Sequence, residues 1–131
     1  MITPEQYKKY CLQLESNNWG EIVTRVQSPT ALRLMHGVIG LCTETGELQD
    51  NLKKYFFYGK SIDFQNIKEE LGDVFWYINV ILDAANLTWE EVAEANMKKL
   101  HARYGNKFSE ERALNRDLAE EAKALRDKDQ Q

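Results

Sequence analysis

The sequence predicts an all-α protein, an antiparallel helical bundle of four to five helices that is oligomeric. Three observations carry this prediction. Apolar residues recur at helical spacing almost throughout, and β-branched runs are scarce. Proline occurs only at positions 4 and 29, and both sites suit the first turn of a helix. With 131 residues the chain can bury only a small core, which further copies of itself would enlarge.

The elements follow in order. Thr3-Pro-Glu-Gln6 reads as a capped start, with threonine as N-cap and glutamine three residues on, for a helix to about Glu15. Ser16 to Ser28, carrying Trp19-Gly20, is the least regular stretch and reads as a loop. Ser28-Pro-Thr30 opens a long second helix to Phe57, closed at Tyr58-Gly59 where glycine suits a left-handed cap. Asp63 can cap a third helix to about Ala85. Thr88-Trp-Glu-Glu91 is a capping box for a fourth, to about Tyr104-Gly105. Ser109 begins a fifth segment with a weak Leu114, Leu118, Leu125 stripe, and residues 126–131 are polar and expected to fray.

Composition narrows the function classes. An apolar content of 43% and a charged content of 29% fit one ordinary soluble domain. A net charge of −4 argues against nucleic acid as the main partner, because phosphate backbones attract basic surfaces. The longest apolar run, Val74 to Leu82, is too short to span a membrane, and the N-terminus has no apolar signal core. Only Cys11 and Cys42 are present, without CxxC spacing, which fits a reducing, cytoplasmic setting and no disulfide framework.

Two short stretches match. Glu44-Thr-Gly-Glu-Leu48 returns as Glu70-Leu-Gly-Asp-Val74. Residues three apart share a helix face, so Glu44 and Glu47 point one way, as do Glu70 and Asp73. The turn around Gly59 to Asp63 is short enough to make the two helices antiparallel neighbours, with the motifs at similar height. Four carboxylates would then converge among Val38, Ile39, Leu41, Leu48, Val74, Phe75 and Ile78. Two carboxylates about 4 Å apart repel by about 4 kcal/mol at an effective dielectric near 20. A divalent cation relieves this. Oxygen-only donors, with no histidine or thiolate nearby, select Mg²⁺ first and Mn²⁺ second. Gly37, Gly40, Gly46 and Gly72 each cost about 1 kcal/mol against alanine in a helix and leave room for a ligand or a close helix. The alternative for any single acid pair is a solvated helix face.

Three stretches carry a family resemblance: His36 to Lys54, Lys68 to Tyr77, and Glu91 to Gly105. Together they resemble the MazG-like nucleotide pyrophosphohydrolases of the all-α NTP pyrophosphatase superfamily, in their short single-domain, phage-type form. The similarity covers about residues 30–110, with 111–131 as a C-terminal helix and tail of one domain, 1–131. The family's ExxE, spacer, ExxD pattern falls on Glu44, Glu47, Glu70 and Asp73 with a 22-residue gap. The resemblance implies Mg²⁺-dependent hydrolysis of a nucleoside triphosphate to the monophosphate and pyrophosphate. It implies the four acids as holders of two or three metal ions, and water attacking the α-phosphorus. It also implies a homodimer or homotetramer with the site near an interface. Glu47 is the favoured general base, and the sequence does not separate it from Glu44. A purine deoxynucleotide such as dGTP is the favoured substrate.

Further positions are candidates for substrate contact. Lys54 lies two turns after Glu47; a solvated lysine is the alternative. Asn96, Lys99 and Arg103 share a face and match the family's segment, with a solvated stripe as the alternative. Tyr77 could bond the sugar or belong to the core. His36 could reach the base or be a satisfied core histidine. Trp19 could stack on a base, though packing over the core is favoured. Glu69 reads as a supporting group or a solvated acid. A carboxylate di-iron bundle wants Glu-x-x-His, and positions 33 and 98, three before each histidine, are Arg and Lys. The rival from another class is a non-enzymatic helical oligomerisation module with an acidic surface.

Overall fold

The computed structural model describes residues 1–126. Among them every regular element is a helix and there is no strand. The helices are α1 (Pro4–Gln13), α2 (Trp19–Val26), α3 (Pro29–Tyr58), α4 (Phe64–Ala85), α5 (Trp89–Tyr104), α6 (Glu110–Leu114) and α7 (Leu118–Arg126). No helix of the described residues is long and apolar enough to cross a membrane. The chain divides into two compact units, Met1–Ile81 and the remainder from Leu82 on.

The caps form as their sequences dictate. The Thr3 hydroxyl accepts from Gln6 N at 3.2 Å, and the Gln6 side chain accepts from Thr3 N at 2.9 Å. Ser28 Oγ accepts from Ala31 N, with Pro29 in the first turn. Gly59 closes α3 at φ 67°, a conformation that costs glycine nothing. Asp63 Oδ1 accepts from Gln65 N and Asn66 N to start α4. Thr88 and Glu91 form the expected capping box on α5.

Two stretches depart from the sequence reading. Residues 16–28 are not one loop, because Trp19 to Val26 form α2. Trp19, Ile22, Val23 and Val26 fall on one helical face, and this face meets Leu32 of α3. The segment after Ser109 is two short helices, not one. Asn115 ends α6, and Asp117 Oδ1 accepts from Ala119 N and Glu120 N to begin α7. Of the stretch 126–131 expected to fray, Arg126 is the last residue of α7, and 127–131 lie outside those described.

In the first unit α3 and α4 run antiparallel, and their contacts fix one register. A Cβ at Gly37 would lie 2.6 Å from Ile81 Cγ1, and one at Gly40 would fall inside the Tyr77 ring. Further along, the Asn51 amide bonds Asn66. The numbers of each such pair add to 117 or 118. That register sets Glu47 opposite Glu70 and Glu44 opposite Asp73.

The seam is readable in the burial pattern. On α3 the less exposed residues include Leu34, Gly37, Leu41, Glu44, Leu48 and Asn51; on α4 they include Ile67, Glu70, Val74, Tyr77 and Ile81. Steps alternate between three and four, the spacing of helices packed along their length. Acids and an asparagine therefore occupy positions that normally carry core side chains. The seam is otherwise only half-buried, and the one apolar side chain buried outright among the described residues is Leu82, in the second unit.

The contacts at Gly40 give a direct expectation. Gly40→Ala pushes the Tyr77 ring out of the seam, and overpacking of this kind costs about 1–3 kcal/mol. Gly20→Ala meets nothing within 4 Å and should be tolerated. Thermal melts by circular dichroism should show a lower midpoint for the first and no loss for the second.

Candidate functional site

Glu44, Glu47 and Glu70 each bring a carboxylate oxygen to within 4.8 Å of the other two. Glu44 is half-buried, Glu47 is exposed, and Glu70 is 5% exposed. The seam explains this order. Glu44 and Glu70 stand at inward positions of α3 and α4, and Glu47 stands one turn after Glu44 at the edge. Asp73, exposed on α4, is not in this group of three.

Two residues that the sequence reading did not single out organise the buried end of the cluster. Asn66 Nδ2 donates to Glu70 Oε1 at 2.6 Å. Asn51, only 5% exposed, donates from Nδ2 to Asn66 Oδ1 and to the Asp63 carbonyl, both at 2.9 Å. Its Oδ1 accepts from Asp63 N at 3.4 Å. The available signal was Asn51 itself, a polar residue seven after Glu44 and three after the inward Leu48.

A cavity of about 430 Å³ opens beside this network, lined by Asn51, Lys54, Lys60, Asp63, Asn66 and Glu69 among others. Glu69 thus lies at the cavity wall. Lys54 also lines it, but its Nζ pairs with Asp50 Oδ2 at 2.7 Å, and Lys53 Nζ meets Asp50 Oδ1 at 3.1 Å. Hydrogen bonds from Lys54 first and Lys53 second hold the Asp50 carboxyl below the usual carboxylate range.

The aromatic candidates lie on the same two helices. Tyr77 is half-buried, with its ring on Gly40 one turn before Glu44. His36 is exposed and meets the rings of Trp76 and Tyr77 edge-on, centroids 6.1 and 5.7 Å apart. Trp19 lies on α2 beside a cavity of about 420 Å³ with Ile22, Val23, Val26 and Leu32.

Asn96, Lys99 and Arg103 belong to α5 in the second unit. Asn96 is exposed and Lys99 half-buried. Arg103 is engaged within its own unit. Its Nε and Nη2 donate to the two oxygens of Glu121 at 2.9 and 2.7 Å, and Arg116 donates to the same two oxygens at 3.1 and 2.7 Å. Glu121 is 4% exposed. This double fork fastens α7 to α5, so the guanidinium of Arg103 already has an anionic partner.

The donor set suits a hard divalent cation. All three groups offer oxygen, one of them is buried, and among the described residues the group includes no imidazole or thiolate. Family comparison adds the decisive observation. The family model for the MazG nucleotide pyrophosphohydrolase domain matches residues 32–108, more than half of the chain. The chain belongs to the MazG nucleotide pyrophosphohydrolase family. Neither the curated proteins nor the solved structures searched gave a match. The matched span contains the whole acid cluster, the Asn51–Asn66 network and all of α5. The MazG domain is a hydrolase domain with a nucleotide substrate, and its metal dependence agrees with the carboxylates brought together here.

The Arg103–Glu121–Arg116 group predicts a pH dependence. Hydrogen bonds from Arg103, then Arg116, hold the Glu121 carboxyl down at about 2, against an ordinary 4.5. A folded pKa below the unfolded one gives stability that is fully present above the unfolded value and is lost as pH falls through the folded one. Melting midpoints of the wild type and Glu121→Gln should be furthest apart near neutral pH. They should converge as pH is lowered from about 4.5 to about 2.

Proposed function

We propose that this protein is a Mg²⁺-dependent nucleoside triphosphate pyrophosphohydrolase that converts a nucleoside triphosphate to the monophosphate and pyrophosphate. The observation that carries the reading is the convergence of Glu44, Glu47 and Glu70 in a chain of the MazG family. Asp73, which the helix register sets opposite Glu44, completes the proposed ligand set. Mg²⁺, with Mn²⁺ able to substitute, would be held by these four carboxylates in a set of two or three ions. When bound, the cation supplies charge neutralisation at the phosphates and lowers the pKa of water.

The chain's own residues do the rest. Glu47 is the exposed member of the cluster, so it can reach a water and take its proton. Glu44 is the second choice for that role. The water oxygen bonds the α-phosphorus, the bond from that phosphorus to the α,β-bridging oxygen breaks, and pyrophosphate leaves. Lys54 is proposed to attend the leaving phosphates, which requires it to exchange Asp50 for them. Asn96 and Lys99 remain proposed contacts to phosphate or ribose. Arg103 is proposed to act there only as far as its pair with Glu121 allows. His36 and Tyr77 offer rings for the base and sugar. A purine deoxynucleotide, dGTP first, is the proposed substrate.

We also propose that a second copy covers part of the α3–α4 pair. Val38, Ile39, Phe75 and Trp76 are each more than half exposed, at 51, 57, 55 and 53%. Apolar side chains in such numbers on one helix pair suit an interface between copies. A homodimer or homotetramer fits this, and light scattering after size exclusion would read the state.

A product assay over the eight common NTPs and dNTPs tests the activity. The expected products are monophosphate plus pyrophosphate, and release of inorganic phosphate alone would sink the reading. Glu47→Gln and Asp73→Asn should each lower kcat by about a hundred-fold or more with helical content unchanged. In a separate melt, Mg²⁺ or Mn²⁺ should raise the midpoint of the wild type beyond a matched monovalent salt control, because a ligand of the folded state stabilises it by mass action.

A further inference from the structure

We propose that Asn66 is a positioning residue for Glu70, and that Asn51 fixes which way the Asn66 amide faces. The inference rests on the reading of Glu44, Glu47 and Glu70 as metal-binding carboxylates.

The argument starts from backbone groups, whose polarity is not in question. The Asp63 carbonyl can only accept, and the Asp63 N–H can only donate. Asn51 meets both, with its Nδ2 on the carbonyl and its Oδ1 facing the N–H. That determines the Asn51 amide. The second proton of Asn51 Nδ2 then points at Asn66, so Asn66 must turn its Oδ1 toward it. Asn66 has only its Nδ2 left for Glu70, and it donates there at 2.6 Å. Each amide in the chain is oriented by the one before it.

The consequence for Glu70 is specific. One carboxylate oxygen is occupied by a donor, which anchors the side chain and leaves the other oxygen for a cation. A donor on one oxygen of a ligating carboxylate orients the other, and here that donor meets a side chain only 5% exposed. Asn51 also ties the C-terminal third of α3 to Asp63 and the first turn of α4, so the same network fixes the height at which Glu70 meets the α3 acids.

The test measures Mn²⁺ binding to the full chain without nucleotide, by electron paramagnetic resonance of the free ion. Asn66→Leu keeps the shape and removes the donor; Asn66→Ala removes both. Each should keep a cooperative melt and weaken Mn²⁺ binding about ten- to a hundred-fold, the range for losing a group that orients a metal ligand. With Mn²⁺ saturating, activity should recover in part, as it would not after a loss of fold. In a Glu70→Gln background, Asn66→Ala should add no further loss. Wild-type Mn²⁺ affinity in both Asn66 variants, or an Asn66→Ala loss that persists in full beside Glu70→Gln, overturns the proposal while the metal reading stands. If Glu70→Gln itself binds Mn²⁺ as the wild type does, the metal reading falls, and this inference with it.

Discussion

The structure of the first unit depends on carboxylates placed in a helix seam. Glu44 and Glu70 occupy positions that, by their spacing, belong to leucine or isoleucine. Burying them together opposes folding through repulsion and lost hydration, and the fold accommodates them in three ways. Glu47 lies at the rim, where water can reach it. Glu70 has a buried donor in Asn66. Tyr77 and Ile81 pack onto Gly40 and Gly37 and hold the helices together beyond the acids. The small residues and the charged ones are parts of one arrangement, since close approach at one end of the seam sets the height at which the acids meet.

Much of this was legible in the sequence. The starts of α3, α4 and α5 follow from Ser28, Asp63 and Thr88 as caps, and the ends of α3 and α5 from Gly59 and Gly105 as terminators. The matched acid spacing pointed to carboxylates meeting at one height, and three of the four do. α2 was missed because the stretch around Trp19-Gly20 shows little regularity and glycine weakens a helix. Its helix rests on the apolar face it turns to α3, which is a tertiary effect. The break at Asn115 to Asp117 was hidden by the leucine stripe running through it.

The partners of the basic residues divide by distance along the chain. Asp50 and Lys54 are four apart on one helix, so their pairing was available to sequence reasoning and was passed over in favour of phosphate. Arg103 and Glu121 are eighteen apart and joined across two helices, and no local pattern announces them. Asn51 and Asn66 lie between these cases. A polar residue at an inward position is visible, but its partner is fixed only once the register of α3 on α4 is known.

The bond between α5 and α7 has a meaning for how such a protein can change over time. Among the described residues, Arg103 and Arg116 share one acid, Glu121, which stands on α7. Loss of α7, or its exchange with a segment of another gene, would leave two guanidiniums side by side without their counter-charge. α7 is therefore not a disposable appendage. It can be replaced in evolution only by a segment that brings an acid to the same spot, or together with a change in the helix it fastens.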